Sequence, residues 1–163
     1  MTDVTATADN NDGFQVGPQI RVLAQYVKDL SFENLGAPDT LRAGLEQPAI
    51  DLQLDVGARA MTDAGPNIYE VDLKINAKSS RNDQVVFIAE LVYSGLFEFL
   101  NLPAEALEPM LLAECPRLLF PFARRILADT TREGGFPPLM LDPVDFGALY
   151  QSQGQNRENL PRA

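Results

Sequence analysis

The stretch that most constrains this chain is Pro103 to Leu141, PAEALEPMLLAECPRLLFPFARRILADTTREGGFPPLML. It reads as a long helix that stops at Gly134-Gly135 and is kept from resuming by Pro137-Pro138. Leu107, Leu111, Cys115, Leu118, Phe122 and Ile126 recur every three or four residues and form one apolar stripe. Met110, Leu112, Ala113, Leu119, Phe120, Ala123 and Leu127 fill most of the remaining circumference, leaving a narrow polar line at Glu114, Arg117, Arg125 and Arg132. A helix apolar nearly all round must be covered on more than one side. One small sheet covers only one side, so the spacing predicts a contact with another subunit, with Leu111, Leu118, Phe122 and Ile126 as the interface residues. Pro109, Pro116 and Pro121 lie inside the segment and each removes a backbone donor, which predicts a kinked helix or one in two pieces.

The rest of the chain supplies one sheet. From Gln19, the residues Ile20, Val22, Ala24, Tyr26, Leu30 and Phe32 alternate with polar ones, interrupted at Lys28, and predict a first strand with one apolar face. Asn34 to Pro48 is a long loop rich in Gly and Pro that serves either as a binding or covering element or as a plain crossover. Ile50 to Ala60 and Tyr69 to Lys78 alternate cleanly and are separated by Ala64-Gly65-Pro66-Asn67; Arg81-Asn82-Asp83 turns into a fourth strand, Gln84 to Ser94. Short turns predict antiparallel neighbours for strands two, three and four. In the fourth strand Val85, Phe87, Ala89, Leu91 and Tyr93 read as the inner set. Val86, Ile88, Val92 and Glu90 stand where the other strands place Asp29, Glu33, Asp51, Asp55, Glu70 and Asp72. The outer face is therefore expected to be acidic with an aliphatic patch. Gly95 reads as a bend. After the helix come an extended apolar segment, Phe136 to Leu141, and a short helix opening at Asp142-Pro143 with Val144, Phe146, Leu149 and Tyr150 on one side. The fold class is α+β: a four-stranded antiparallel sheet on one long Pro-kinked helix, with a short C-terminal helix. One domain spans 19–150, between an acidic N-terminal tail, 1–18, read as disordered, and a polar tail, 151–163.

Composition narrows the function. A formal charge of -10 argues against nucleic-acid backbones and anionic membranes as partners. The chain has no histidine, which removes the commonest general base and a common metal ligand, and its one cysteine excludes an intrachain disulfide and a multi-cysteine zinc site. No run approaches the length of a membrane span, and the first 18 residues carry no Lys or Arg and no apolar core of a secretory signal. A cytoplasmic protein without cofactor or metal is expected. The acids alternate with apolar residues as on a solvated sheet face, with no phosphate loop, nucleophile elbow or metal-ligand spacing among them. The residues point to a binding protein, not an enzyme.

Two long motifs carry a resemblance. Cys115-Pro116-Arg117-Leu118-Leu119-Phe120-Pro121-Phe122-Ala123-Arg124, followed by Gly135-Phe136-Pro137-Pro138-Leu139-Met140-Leu141 and Pro143-Val144-Asp145-Phe146, resembles the protein-export chaperone family SecB. Lys28-Asp29-Leu30-Ser31-Phe32-Glu33 and Tyr69-Glu70-Val71 fit the same family, so the resemblance extends from about Ile20 to Tyr150. It implies an ATP-independent holdase that keeps precursor proteins unfolded and delivers them to the SecA motor. It also implies that two protomers pair their sheets into an eight-stranded layer, and that two layers sandwich the helices in a dimer of dimers. Clients are expected along a groove between the Asn34–Pro48 loop and the Phe136–Tyr150 segment, touching Phe32, Leu45, Leu141, Val144, Phe146 and Tyr150. SecA is expected at Asp29, Glu33, Ile88 and Glu90. The alternative is an oligomeric adaptor that holds one folded partner or a small apolar ligand in the same groove.

Overall fold

In the computed structural model, residues 17–158 are described, with side chains through Gln155; the acidic tail expected at 1–18 lies almost wholly outside them. Four strands, β1 (Gln19–Asn34), β2 (Ala49–Ala60), β3 (Ile68–Arg81) and β4 (Gln84–Leu100), form one antiparallel sheet in the order β1-β4-β3-β2. β3 and β4 are joined through the pair Arg81–Gln84, and Asn82 and Asp83 both take positive φ (51° and 62°), as a two-residue turn matched to the twist of a hairpin requires. The first and second strands of the chain lie at opposite edges. Residues 35–48 therefore cross the end of the sheet, over the β3–β4 turn, where Arg81 donates to the carbonyls of Glu46 and Thr40.

The alternation in β2 and β3 is realised as read. Val71, Leu73, Ile75 and Ala77 are fully buried on the inner face, opposite Ala58, Val56, Leu54 and Leu52. β1 departs from simple alternation. Its register against β4 slips between Val22 and Ala24 and again between Val27 and Asp29. Each slip is a bulge, and a one-residue slip turns every following side chain over. Ala24 and Tyr26, predicted on the apolar face, stand on the outer one opposite Leu96 and Ser94, while Gln25 and Val27 face inward. A third bulge corrects β4. Ser79 pairs with Phe87 but Ser80 with Val85, so Val86 rather than Val85 is buried, at 2% exposure.

β4 also runs unbroken through Gly95 to Leu100, so Gly95 is not a bend. A Cβ there would lie 2.5 Å from Phe97 Cε2 and 2.9 Å from Leu119 Cδ2. The missing side chain lets the long helix sit directly on the sheet.

That helix is built in pieces. A 3-10 turn (Ala104–Ala106) leads into α1 (Leu107–Pro109), a π turn (Met110–Glu114) and α2 (Cys115–Glu133). Pro116 has no N–H for the carbonyl four residues back, and the wider turn before it, in which Cys115 N–H donates to Met110 O, accommodates the loss. The buried row is Pro116, Leu119, Phe120, Ala123, Leu127 and Thr131, one step round from the predicted stripe. Leu111 and Cys115 of that stripe are buried; Leu118 and Ile126 are half-buried and Phe122 is exposed.

Phe136 and Leu141 bury their side chains as the chain returns. α3 (Phe146–Glu158) starts later than Asp142-Pro143, because Asp145 caps it: its Oδ1 accepts from Ala148 N–H at 3.0 Å. It continues through Gln151–Glu158, which the sequence reads as tail.

Candidate functional site

At the end of the sheet where the β1–β2 loop crosses, a groove of about 330 Å³ opens between that loop and residues 135–140. Leu41, Leu45, Pro48, Ile50, Phe136 and Met140 are among its lining residues. Four of these are large hydrophobics left open to solvent: Leu41 at 41%, Leu45 at 46%, Ile50 at 40% and Met140 at 58%. Gly135, at φ 90°, brings the far wall within reach of Leu41, whose Cδ atoms lie 3.1 Å from where a Cβ would stand. Beneath the groove, Phe32, Phe87 and Phe136 form an aromatic cluster, with ring centroids 5.5 Å apart for Phe32–Phe87 and 4.9 Å for Phe87–Phe136. Asn34 Nδ2 donates to Gly134 O at 2.9 Å and ties the end of β1 to the end of α2.

Of the six residues expected to touch clients, Leu45 lines this groove. Phe32 is half-buried in the aromatic cluster below it. Leu141 (4% exposed) and Phe146 (2%) belong to the protein's own core, Phe146 edge-on to Phe120 at 5.7 Å. Val144 and Tyr150 are half-buried and lie outside the groove's lining. Leu41, Ile50 and Met140 went unrecognised as groove residues. Their signal was an apolar side chain in a loop, or at an element's end, with no buried partner to account for it.

The four outer-face residues do come together. Register places Glu33 opposite Ile88, Ser31 opposite Glu90 and Asp29 opposite Val92, so Asp29, Glu33, Ile88 and Glu90 share one face of two adjacent strands. The three acids are exposed and Ile88 is half-buried. A shallow hollow of about 480 Å³ runs from Asp29 and Glu90 across to Asp55 and Lys74 on the same face.

The expectation of an acidic outer face with an aliphatic patch needs correction at Glu70 and Asp72, whose charges are paired. Glu70 is 5% exposed and accepts from Lys28 Nζ at 2.6 Å, from Arg59 Nε at 3.0 Å and from the Tyr26 hydroxyl. Asp72 accepts from Ser94 Oγ at 2.6 Å and from Lys28. This cluster ties all four strands together. Burial pushes the Glu70 carboxyl upward, but the three donors outweigh it and bring it down to about 2. Burial and the Glu70 carboxylate push the Tyr26 hydroxyl up to about 12. Lys28 reaches the cluster because the second β1 bulge presents it to the outer face. With these acids neutralised, the open negative charge of β1 and β4 is concentrated at Asp29, Glu33 and Glu90.

The inner face of β1 is less covered than that of its neighbours. Val22, Val27 and Leu30, opposite Phe97, Tyr93 and Leu91, remain 45%, 45% and 42% exposed. Phe122, 50% exposed, stacks on Tyr93 at 6.2 Å beside them. No helix among the described residues is long and apolar enough to cross a membrane.

Comparison with known proteins agrees with this architecture. The profile of the family described as preprotein translocase subunit SecB matches residues 14–157. The protein-export protein SecB of Maricaulis maris is 62% identical over 94% of this chain and 87% of its own. That of Caulobacter vibrioides is 49% identical over 98% and 99%. Among solved structures, a SecB-like chaperone of Mycobacterium tuberculosis, in complex with an antitoxin peptide, superposes with a TM-score of 0.63 at 18% identity, covering 77% of this chain and 90% of its own; it shares the fold. Identity of this order along nearly the whole chain leaves one conclusion: the chain belongs to the SecB family, and its role is that of a protein-export chaperone.

Proposed function

We propose that unfolded stretches of precursor proteins lie in the groove between the β1–β2 loop and residues 135–140, and that the loaded chaperone is delivered to the SecA ATPase through Asp29, Glu33, Ile88 and Glu90. The observation that carries the first part is the gathering of Leu41, Leu45, Ile50 and Met140, all 40–58% exposed, around one groove. Apolar burial at roughly 25 cal/mol per Å² has no direction and little sequence preference, which suits many unfolded clients and few folded ones. Phe32 acts from beneath, through its contacts with Phe87 and Phe136; Leu141, Val144, Phe146 and Tyr150 stand outside the groove's lining. A photo-crosslinker at Leu45 or Met140 is expected to capture unfolded client and to lose it when the client folds. Capture from distant surface positions with none from these two would place the binding elsewhere.

Delivery is supported by charge that is left open. Exposed carboxylates steer a basic surface toward them over about one Debye length, and Ile88 adds an apolar contact. The assembly is a dimer of dimers in the cytoplasm. The support for a second copy is the uncovered strip of β1 with Phe122, Leu118 and Ile126 beside it, a patch that monomers seldom leave open. Leu111, buried within the chain, backs that interface rather than touching it.

A further inference from the structure

We infer that Thr131 is the positioning residue of the groove: its carbonyl and hydroxyl hang the Phe136–Leu141 wall on α2 and so set the groove's width. The inference rests on the groove being the client site. The wall pairs with no strand, and Pro137 and Pro138 at its centre carry no N–H. Its position therefore depends on a few bonds, and two of them converge on one residue. Thr131 O accepts from Phe136 N–H at 3.2 Å, and Thr131 Oγ1 accepts from Leu139 N–H at 2.9 Å, one on each side of the proline pair. The hydroxyl in turn donates into the helix, with Leu127 O at 2.9 Å and Ala128 O at 3.1 Å. A fully buried hydroxyl thus uses both its donor and its acceptor capacity, and it cannot turn away without leaving a buried polar group unpaired. Arg124 Nε adds a third tie, to Leu141 O at 2.7 Å. Between these ties stand Pro138 and Met140, which face the groove.

The test uses the full chain with Thr131→Val, which keeps the branched shape and removes the hydroxyl, and Thr131→Ser, which keeps the hydroxyl. Two quantities are read: hydrogen exchange at the Leu139 amide, and the Kd for a reduced, unfolded precursor. For Thr131→Val, exchange is expected on the order of tenfold faster and binding about fivefold weaker, in line with the loss of one buried hydrogen bond. Thr131→Ser is expected to stay near the wild type in both. Unchanged Leu139 protection in Thr131→Val overturns the inference, as does a Ser variant as impaired as the Val one. If the Val variant does not fold, hydrogen exchange on the wild type decides: a protected Leu139 amide is expected, and one that exchanges as freely as an exposed amide overturns the inference. Leu45→Glu separates the two readings. If it leaves client affinity intact, the groove assignment has failed and the positioning role falls with it. If it weakens binding while Thr131→Val frees the amide without weakening binding, the groove stands and Thr131 does not govern it.

Discussion

Replacing Glu70 by Gln removes one charge from the outer-face cluster while keeping the side chain's size. The wild-type carboxyl, brought from 4.5 to about 2 in the folded protein, contributes roughly 3 kcal/mol near neutral pH, at about 1.4 kcal/mol per pH unit. Lys28 and Arg59 have side chains 38% and 63% exposed, so water replaces part of what they lose, and about 2 kcal/mol is the working figure. A depressed carboxylate stabilises above its unfolded value and ceases to do so as pH falls through the folded one. The gap between wild type and variant should therefore hold from pH 7 to about 4.5 and close toward pH 2. Urea unfolding at fixed protein concentration, repeated down this series, measures it, the concentration being held because assembly adds to apparent stability. Equal midpoints at pH 7, or a gap unchanged at pH 3, would refute the assignment of the cluster as a stabilising tie.

Gly95→Ala is expected to destabilise by about 2 kcal/mol in the same assay, because the new methyl meets Phe97 and Leu119 well inside contact distance; a neutral result would mean the helix does not rest on the sheet at that point. Glu90→Lys and Asp29→Lys are expected to weaken SecA binding in calorimetric titration, to lessen its salt dependence and to spare client binding; unchanged affinity in both would move the docking surface elsewhere. Light scattering at micromolar concentration is expected to give four times the 17.9 kDa chain mass, with Phe122→Asp shifting the distribution toward smaller species. A monodisperse monomer for the wild type would sink the assembly.

β2 and β3 were legible in the sequence because each turns one face toward the core and keeps period two from end to end. The bulges in β1 were not, since an inserted residue leaves both apolar and polar residues in plausible order and changes only the side they face. Lys28 was the one visible sign: a charge interrupting an apolar alternation, which the structure uses to reach Glu70. Gly95 was ambiguous because a glycine in a strand marks a bend or a close approach equally well. The helix misled in a different way. A surface apolar all round has no preferred direction, so Leu118, Phe122 and Ile126 fitted the period as well as the row that meets the sheet. Thr131 was passed over because a polar residue on a helix gives no hint that it is fully buried. That Asp29, Glu33, Ile88 and Glu90 share a face was legible because i, i+2 and i+4 positions do so whichever face it is, provided no bulge falls between them, and none does from Asp29 to Glu33 or from Ile88 to Glu90.

The order β1-β4-β3-β2 has a consequence for how the chain comes into being. Gln19 must find Leu100, and Asn34 must find Phe87, so the first strand synthesised is the last whose partner emerges. The hairpins β2–β3 and β3–β4 close locally and early, whereas β1 waits for more than fifty residues of intervening chain, a loop whose closure is entropically slow. Through that interval Val22, Val27, Leu30 and Phe32 have no β4 to pair with. Until β4 is made, the growing chain thus carries an unpaired apolar strand sequence, an aggregation hazard that the short β2–β3 and β3–β4 turns spare its other strands.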